Sequence, residues 1–104
     1  MPFDGTNDFL VTNLILGAIH EIDTRGWCQR ALMDEDGRVC LLGAFQIANS
    51  EQNYALNKMA LRRVARVAGC NHDMNLWQYN DSLCAMTGKW ALRDLLRKAA
   101  DARS

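Results

Sequence analysis

Apolar residues recur along this chain in three helical stripes, separated by stretches with a different pattern. In residues 7–24, Leu10, Val11, Leu14, Ile15, Ala18, Ile19 and Ile22 fall on one broad face at a period of about 3.6. Thr6 or Asn7 can cap this helix, Asp8 suits its positive end, and Gly26 stops it. Residues 54–68 repeat the pattern through Leu56, Met59, Ala60, Val64, Val67 and Ala68, with Gly69 as the stop. A third stripe runs through Ala91, Leu92, Leu95, Leu96 and Ala99, which predicts a helix over 88–101 capped by Thr87.

The stretch between the first two stripes reads differently. "WCQRALM" and "RVCL" flank "DEDG", a turn signal, which predicts a small hairpin over 27–41. Two strands alone are marginal, so the hairpin must lean on the helices, with Trp27 as its natural anchor. Residues 1–6 are expected to be an arm, 42–49 a short helix, and 70–86 irregular chain with a helical turn at 73–78. The predicted fold is therefore α+β and mostly helical. It has three main helices, one short helix and a two-stranded β-hairpin lid, all in a single domain over 1–104.

Composition narrows the function classes. Apolar residues make up 49% of the chain, enough for a buried core. Twelve basic residues balance twelve acidic ones, which argues against a dedicated nucleic-acid binder and against a membrane-surface helix. The longest apolar run, "FLVTNLILGAI", is about eleven residues and is broken by Thr12 and Asn13, far short of the ~20 that a membrane span needs. No basic segment precedes it and acids flank it, which argues against a signal peptide. Cys28, Cys40, Cys70 and Cys84 include no C-x-x-C pair, and free thiols are the default in the cytoplasm. The expected location is cytoplasmic, with no membrane partner.

At this point "RGWCQRALMDEDGRVCLLGA" resembles a motif of small actinobacterial and actinophage proteins with no assigned function. They carry a Gly-Trp pair, a D-x-x-G turn, a C-x-x-G-A step into a helix, and a Trp-Asn-Asp triplet before a final helix ending in alanines. Gly26-Trp27, Asp34 to Gly37, Cys40 to Ala44, Asn80-Asp81 and "LRDLLRKAA" match. Tyr79 stands in place of the triplet's Trp, Trp77 comes two residues early, and "SLCAMTGKW" replaces a short Pro-containing link. The resemblance spans roughly residues 9–101. It implies a shared fold and lends no activity. A phage origin, which it allows, would imply a role acting on a host component.

Cys40 sits where the extended run becomes a helix, and a helix N-terminus favours thiolate. As a nucleophile it would need a base, from His20 or His72, and an orienting group such as Asn80 or Asp81. These residues define a small thiol-dependent enzyme as the rival reading. The plainer one is that a buried cysteine behaves as a small hydrophobe. "CNHD", residues 70–73, lacks the paired spacing of a zinc site, so no metal and no cofactor are expected. Asn80 and Asp81 read as turn-formers leading into the last helix.

Two basic rows, Lys58/Arg62/Arg66 and Lys89/Arg93/Arg97, follow i, i+4, i+8 spacing. Such rows are usually solvated faces, and weak nucleic-acid binding through them is a third reading. Phe9 and Leu16 fall opposite the first apolar stripe, and Trp90 falls away from Leu92, Leu95 and Ala99. An aromatic ring beside Arg93 and Arg97 has the composition of an interface hot spot. The chain is therefore expected to be a non-enzymatic interaction protein. It would bind a host protein or itself through Trp90, Arg93 and Arg97, with Phe9 and Leu16 as a second patch.

Overall fold

The first helix, α1 (Gly5–Arg25), is the post against which the rest is built. A computed structural model describes residues 5–70 and 75–102. At 21 residues, α1 is about 31 Å long. Three helices pack on it: α2 (Leu41–Ala48), α3 (Tyr54–Ala68) and α5 (Gly88–Asp101). A further short helix, α4 (Asn75–Ser82), closes over α2 and α3.

The periodic apolar residues explain the assembly. Val11, Ile15, Ala18 and Ile22 of α1 face Phe45 of α2, Val64 of α3 and Leu92 and Leu96 of α5 in one sealed core. Each large side chain withdrawn from water here contributes roughly 1.5–3 kcal/mol. Leu76 of α4 joins the same core. Leu10, Met59 and Ala91, expected on packed faces, are exposed.

One charged residue lies in the core. Arg63 of α3 is 5% exposed; its Nη2 pairs with Asp8 of α1 and its Nη1 donates to Thr12 Oγ1 at 3.1 Å. On a helical wheel Arg63 falls between Met59 and Leu56, on the stripe side of α3. Asp8 thus holds α1 to α3 as well as sitting in the first turn of α1.

The expected α+β class is corrected: among the described residues the fold is all-α. Residues 27–41 form no hairpin, only isolated bridges, Trp27 with Val39 in parallel and Met33 with Val39 in antiparallel sense. The turn itself is real. Asp34 Oδ1 accepts from the N–H groups of Asp36 and Arg38, and Asp34 N donates to Arg38 O. The first arm does not stay extended, because Arg30 takes a left-handed φ of 67° and its N–H turns to Asp81 of α4. Pairing therefore stops at the bridges: Cys28 N still donates to Val39 O and Cys40 N to Leu32 O, but Arg30 N goes to α4.

Two glycines let the chain pass this closely. A Cβ at Gly43 would overlap the carbonyl oxygen of Leu32, the acceptor for Cys40 N at 3.2 Å. A Cβ at Gly88 would lie 2.5 Å from Cη2 of Trp27. Trp27 is therefore an anchor, but it packs a loop under the start of α5 rather than a hairpin on the helices.

Two boundaries and one cap also differ from expectation. α1 already includes residues 5 and 6, placed in the arm, and Thr6 and Asn7, expected as caps, lie inside it. α4 extends to Ser82 the helical turn expected at 73–78, whose first two residues lie outside the described residues, in chain otherwise expected to be irregular over 70–86. Thr87 precedes α5 but makes no side-chain cap hydrogen bond.

Candidate functional site

Asn80 of α4 is 1% exposed and fills all four of its hydrogen-bonding positions. Its Oδ1 accepts from Trp27 Nε1 at 2.7 Å and from Leu41 N at 3.1 Å. Its Nδ2 donates to Cys28 O and to Asp81 Oδ1, each at 3.2 Å. Gln29 adds a second tie, with Nε2 within 2.8–3.2 Å of the carbonyls of Asn80, Asp81 and Leu83. Asn80 and Asp81 were expected to fix a local turn. Their side chains instead bind the loop 26–41, 39 to 52 residues away in sequence.

This knot also caps α2. The first N–H groups of a helix lack internal partners. Leu41 N goes to Asn80, and Gly43 N goes to the Cys40 sulfur at 3.4 Å. Cys40 is buried, and its thiol is the N-cap of α2.

Beside the knot lies a largely apolar pocket of about 340 Å³, lined by Arg30, Leu32, Cys40, Leu42, Trp77 and Asp81. Two residues of the rival enzyme reading, Cys40 and Asp81, thus meet at one pocket. His20 is exposed on α1 and does not line it, and His72 lies outside the described residues. The Arg30 N–H, with donors from Asn80 and Trp77 adding to it, holds the Asp81 carboxyl below the usual range against the opposing effect of burial. A carboxylate in that state is a weak base for activating a thiol. Among the described residues no three His, Cys, Asp or Glu side chains group as metal ligands. Of the "CNHD" segment, only Cys70 is described.

A second region lies on α5. Trp90 is 62% exposed, with Lys89 Nζ and Arg93 Cζ each 5.6 Å from the ring centroid. Arg93 is fixed by Asp23 of α1: Nη2 donates to Oδ2 at 3.1 Å. Its Nε lies 2.7 Å from Oδ1 but is poorly aligned, so the Nη2 bond is the directed one. Ile19, Asp94 and Arg97 complete a cleft of about 280 Å³ beside the ring. Arg97 is exposed and makes no ion pair among the described residues, whereas Asp94 is paired with Lys98 at 3.1 Å.

Phe9 and Leu16, 63% and 38% exposed, stand two turns apart on the outer face of α1. The residues that sequence reasoning missed are Gln29, Arg30 and Trp77 of the knot, and Arg63. Only Arg63 carried a usable signal, its place on the apolar side of the wheel.

A family of unknown function, DUF6197, matches residues 7–102, and the chain belongs to that family. No curated protein and no solved structure matches it. No helix among the described residues is long and apolar enough to cross a membrane.

Proposed function

We propose that the protein acts by binding another protein, with Trp90 at the centre of the contact and Arg93 and Arg97 beside it. The observation that carries this is a large aromatic ring left open to solvent between two cations, one of them locked by Asp23. A side chain already held in place loses little freedom on binding, so more of the contact energy is kept as affinity. Trp and Arg are the residues that most often dominate interfaces. The resemblance of residues 25–44 to a motif of actinobacterial and actinophage proteins supports a host protein as the partner, with self-association as the alternative. Four unpaired cysteines support a cytoplasmic site of action.

Affinity capture from the host with wild type and Trp90→Ala tests this, with sedimentation reporting self-association. The expected result is a partner, or a dimer, lost in the variant while the melting temperature holds. Equal capture by both proteins overturns the assignment.

The meeting of Cys40 and Asp81 at one pocket favours a second reading, thiol chemistry. Iodoacetamide separates the two. Cys84 is exposed, and hydrogen bonds from Met86 and Thr87 hold its thiol below the usual range. It should therefore react first, and the buried Cys40 slowly. Faster alkylation of Cys40 than of Cys84 would favour the enzyme.

A further inference from the structure

α3 carries Lys58, Arg62, Arg63 and Arg66 and no acidic residue. Asp8 neutralises only Arg63. The other three are exposed, follow one another at four-residue steps of about 6 Å along the axis, and make no ion pair among the described residues. The net neutrality of the chain therefore conceals a local concentration of positive charge. Arg62, Arg63 and Arg66 meet in one cleft of about 190 Å³ with Val11 and Met59.

The row has a fourth member at its start. Tyr54 stands one step before Lys58 and is 83% exposed, the most open ring among the described aromatic residues. Asn53, whose Oδ1 accepts from Leu56 N at 3.1 Å, starts the helix and so fixes the Tyr54 backbone. Tyr54 and Lys58 border a second pocket of about 360 Å³, lined also by the amides of Gln46 and Asn57 and by apolar Leu42 and Leu61. Asn57 Oδ1 is buried there without a hydrogen-bond partner. An unpaired buried acceptor costs free energy until a donor reaches it.

We propose that this face of α3 binds single-stranded nucleic acid. Bases stack on Tyr54 and enter the pocket with the Gln46 and Asn57 amides, and the phosphates follow Lys58, Arg62 and Arg66 to the arginine cleft. An aromatic platform and a track of cations are the two elements such sites combine, and amides beside them offer hydrogen bonds to base edges. An acidic protein would use the cations and pack on the ring as well; the amide pocket beside a regular cation track is what favours bases and phosphates.

The test is fluorescence anisotropy of a labelled single strand of about twelve nucleotides, as DNA and as RNA, with polyglutamate as the competing polyanion. Three phosphate contacts should give a slope of log K against log salt of about −2. Tyr54→Ala should weaken binding roughly tenfold while Tyr54→Phe retains it. Arg62→Gln with Arg66→Gln should flatten the slope to about −0.7. The replaced side chains are all exposed, so melting temperatures should hold. Trp90→Ala should leave this binding unchanged, which separates it from the protein interface on α5. Absence of binding at about 50 mM salt overturns the proposal. So does polyglutamate binding as well with Tyr54→Ala unaffected, which assigns the face to acidic proteins. Loss on Trp90→Ala places the site on α5 and overturns it too.

Discussion

The Asn80 knot and the Trp90 face use the same kinds of side chain to opposite ends. In the knot, Trp27 and Trp77 each give their indole N–H to a side chain of α4, Asp81 accepts three donors, and Asn80 has no capacity left over. On the face, Trp90 presents its ring outward and Arg97 is unpaired among the described residues. Polar groups engaged with one another specify a fold; polar groups held still but unengaged are available to a partner. Arg93 stands between the two cases, its guanidinium both bonded to Asp23 and lying over Trp90.

The contrast predicts where damage should appear. Asn80→Ala should have the largest effect on folding, because it leaves Trp27 Nε1, Leu41 N and Cys28 O without their partner. At roughly 1–3 kcal/mol per unsatisfied buried group, a loss of about 3 kcal/mol is expected. Thermal melts should show this as a fall of about 12–20 °C. A change of only a degree or two would mean that water replaces the amide and the knot is not structural.

Trp90→Ala should invert the pattern. Binding should weaken by about 2 kcal/mol, roughly thirtyfold, while stability moves by no more than about 0.5 kcal/mol. A collapsed melt would erase the distinction between the regions.

Gly88→Ala probes the boundary, since α5 begins against the Trp27 ring. Overpacking should cost about 1–2 kcal/mol by thermal melt. The same substitution should cost less in a Trp27→Phe background than in wild type, because the contact at Cη2 is gone.

The smallest effect concerns Asp81. Its carboxyl titrates below the usual value in the folded state, so its contribution is complete above the ordinary pKa of about 3.9 and fades as pH falls through the lower folded value. Wild type should therefore lose stability more steeply than Asp81→Asn below about pH 4. Parallel acid limbs in urea titrations would show that the carboxylate contributes nothing there.

What could be read from the sequence follows the same division. The stripes of α1, α3 and α5 are periodic, and burial enforces that period, so Ile15, Val64 and Leu96 could be assigned to the core. The open position of Trp90 follows from its angle on a helix whose packed side is plain. The hairpin failed for a specific reason: alternation and a turn signal describe what residues 27–41 could pair with locally, whereas Arg30 N and Cys28 O found partners about fifty residues later. Nothing in "QYNDS" marks Asn80 as buried, because an amide that fixes a turn and one that clamps a distant loop have the same letter. α4 was legible only as a single helical turn, since a short polar helix has little apolar period to detect. Tyr54 heads a basic row that looks like any solvated face until its exposure is known.

The central place of α1 has a consequence for synthesis. Its apolar side is shared between α2, which follows soon after it, and α5, which comes last. The ribosome adds about 5–20 residues per second, so the part of α1 that α5 covers waits several seconds for its partner. During that interval the nascent chain displays an uncovered apolar helix, the kind of surface that chaperones hold and that aggregates form from. The last helix to be made therefore sets how long the first one is at risk.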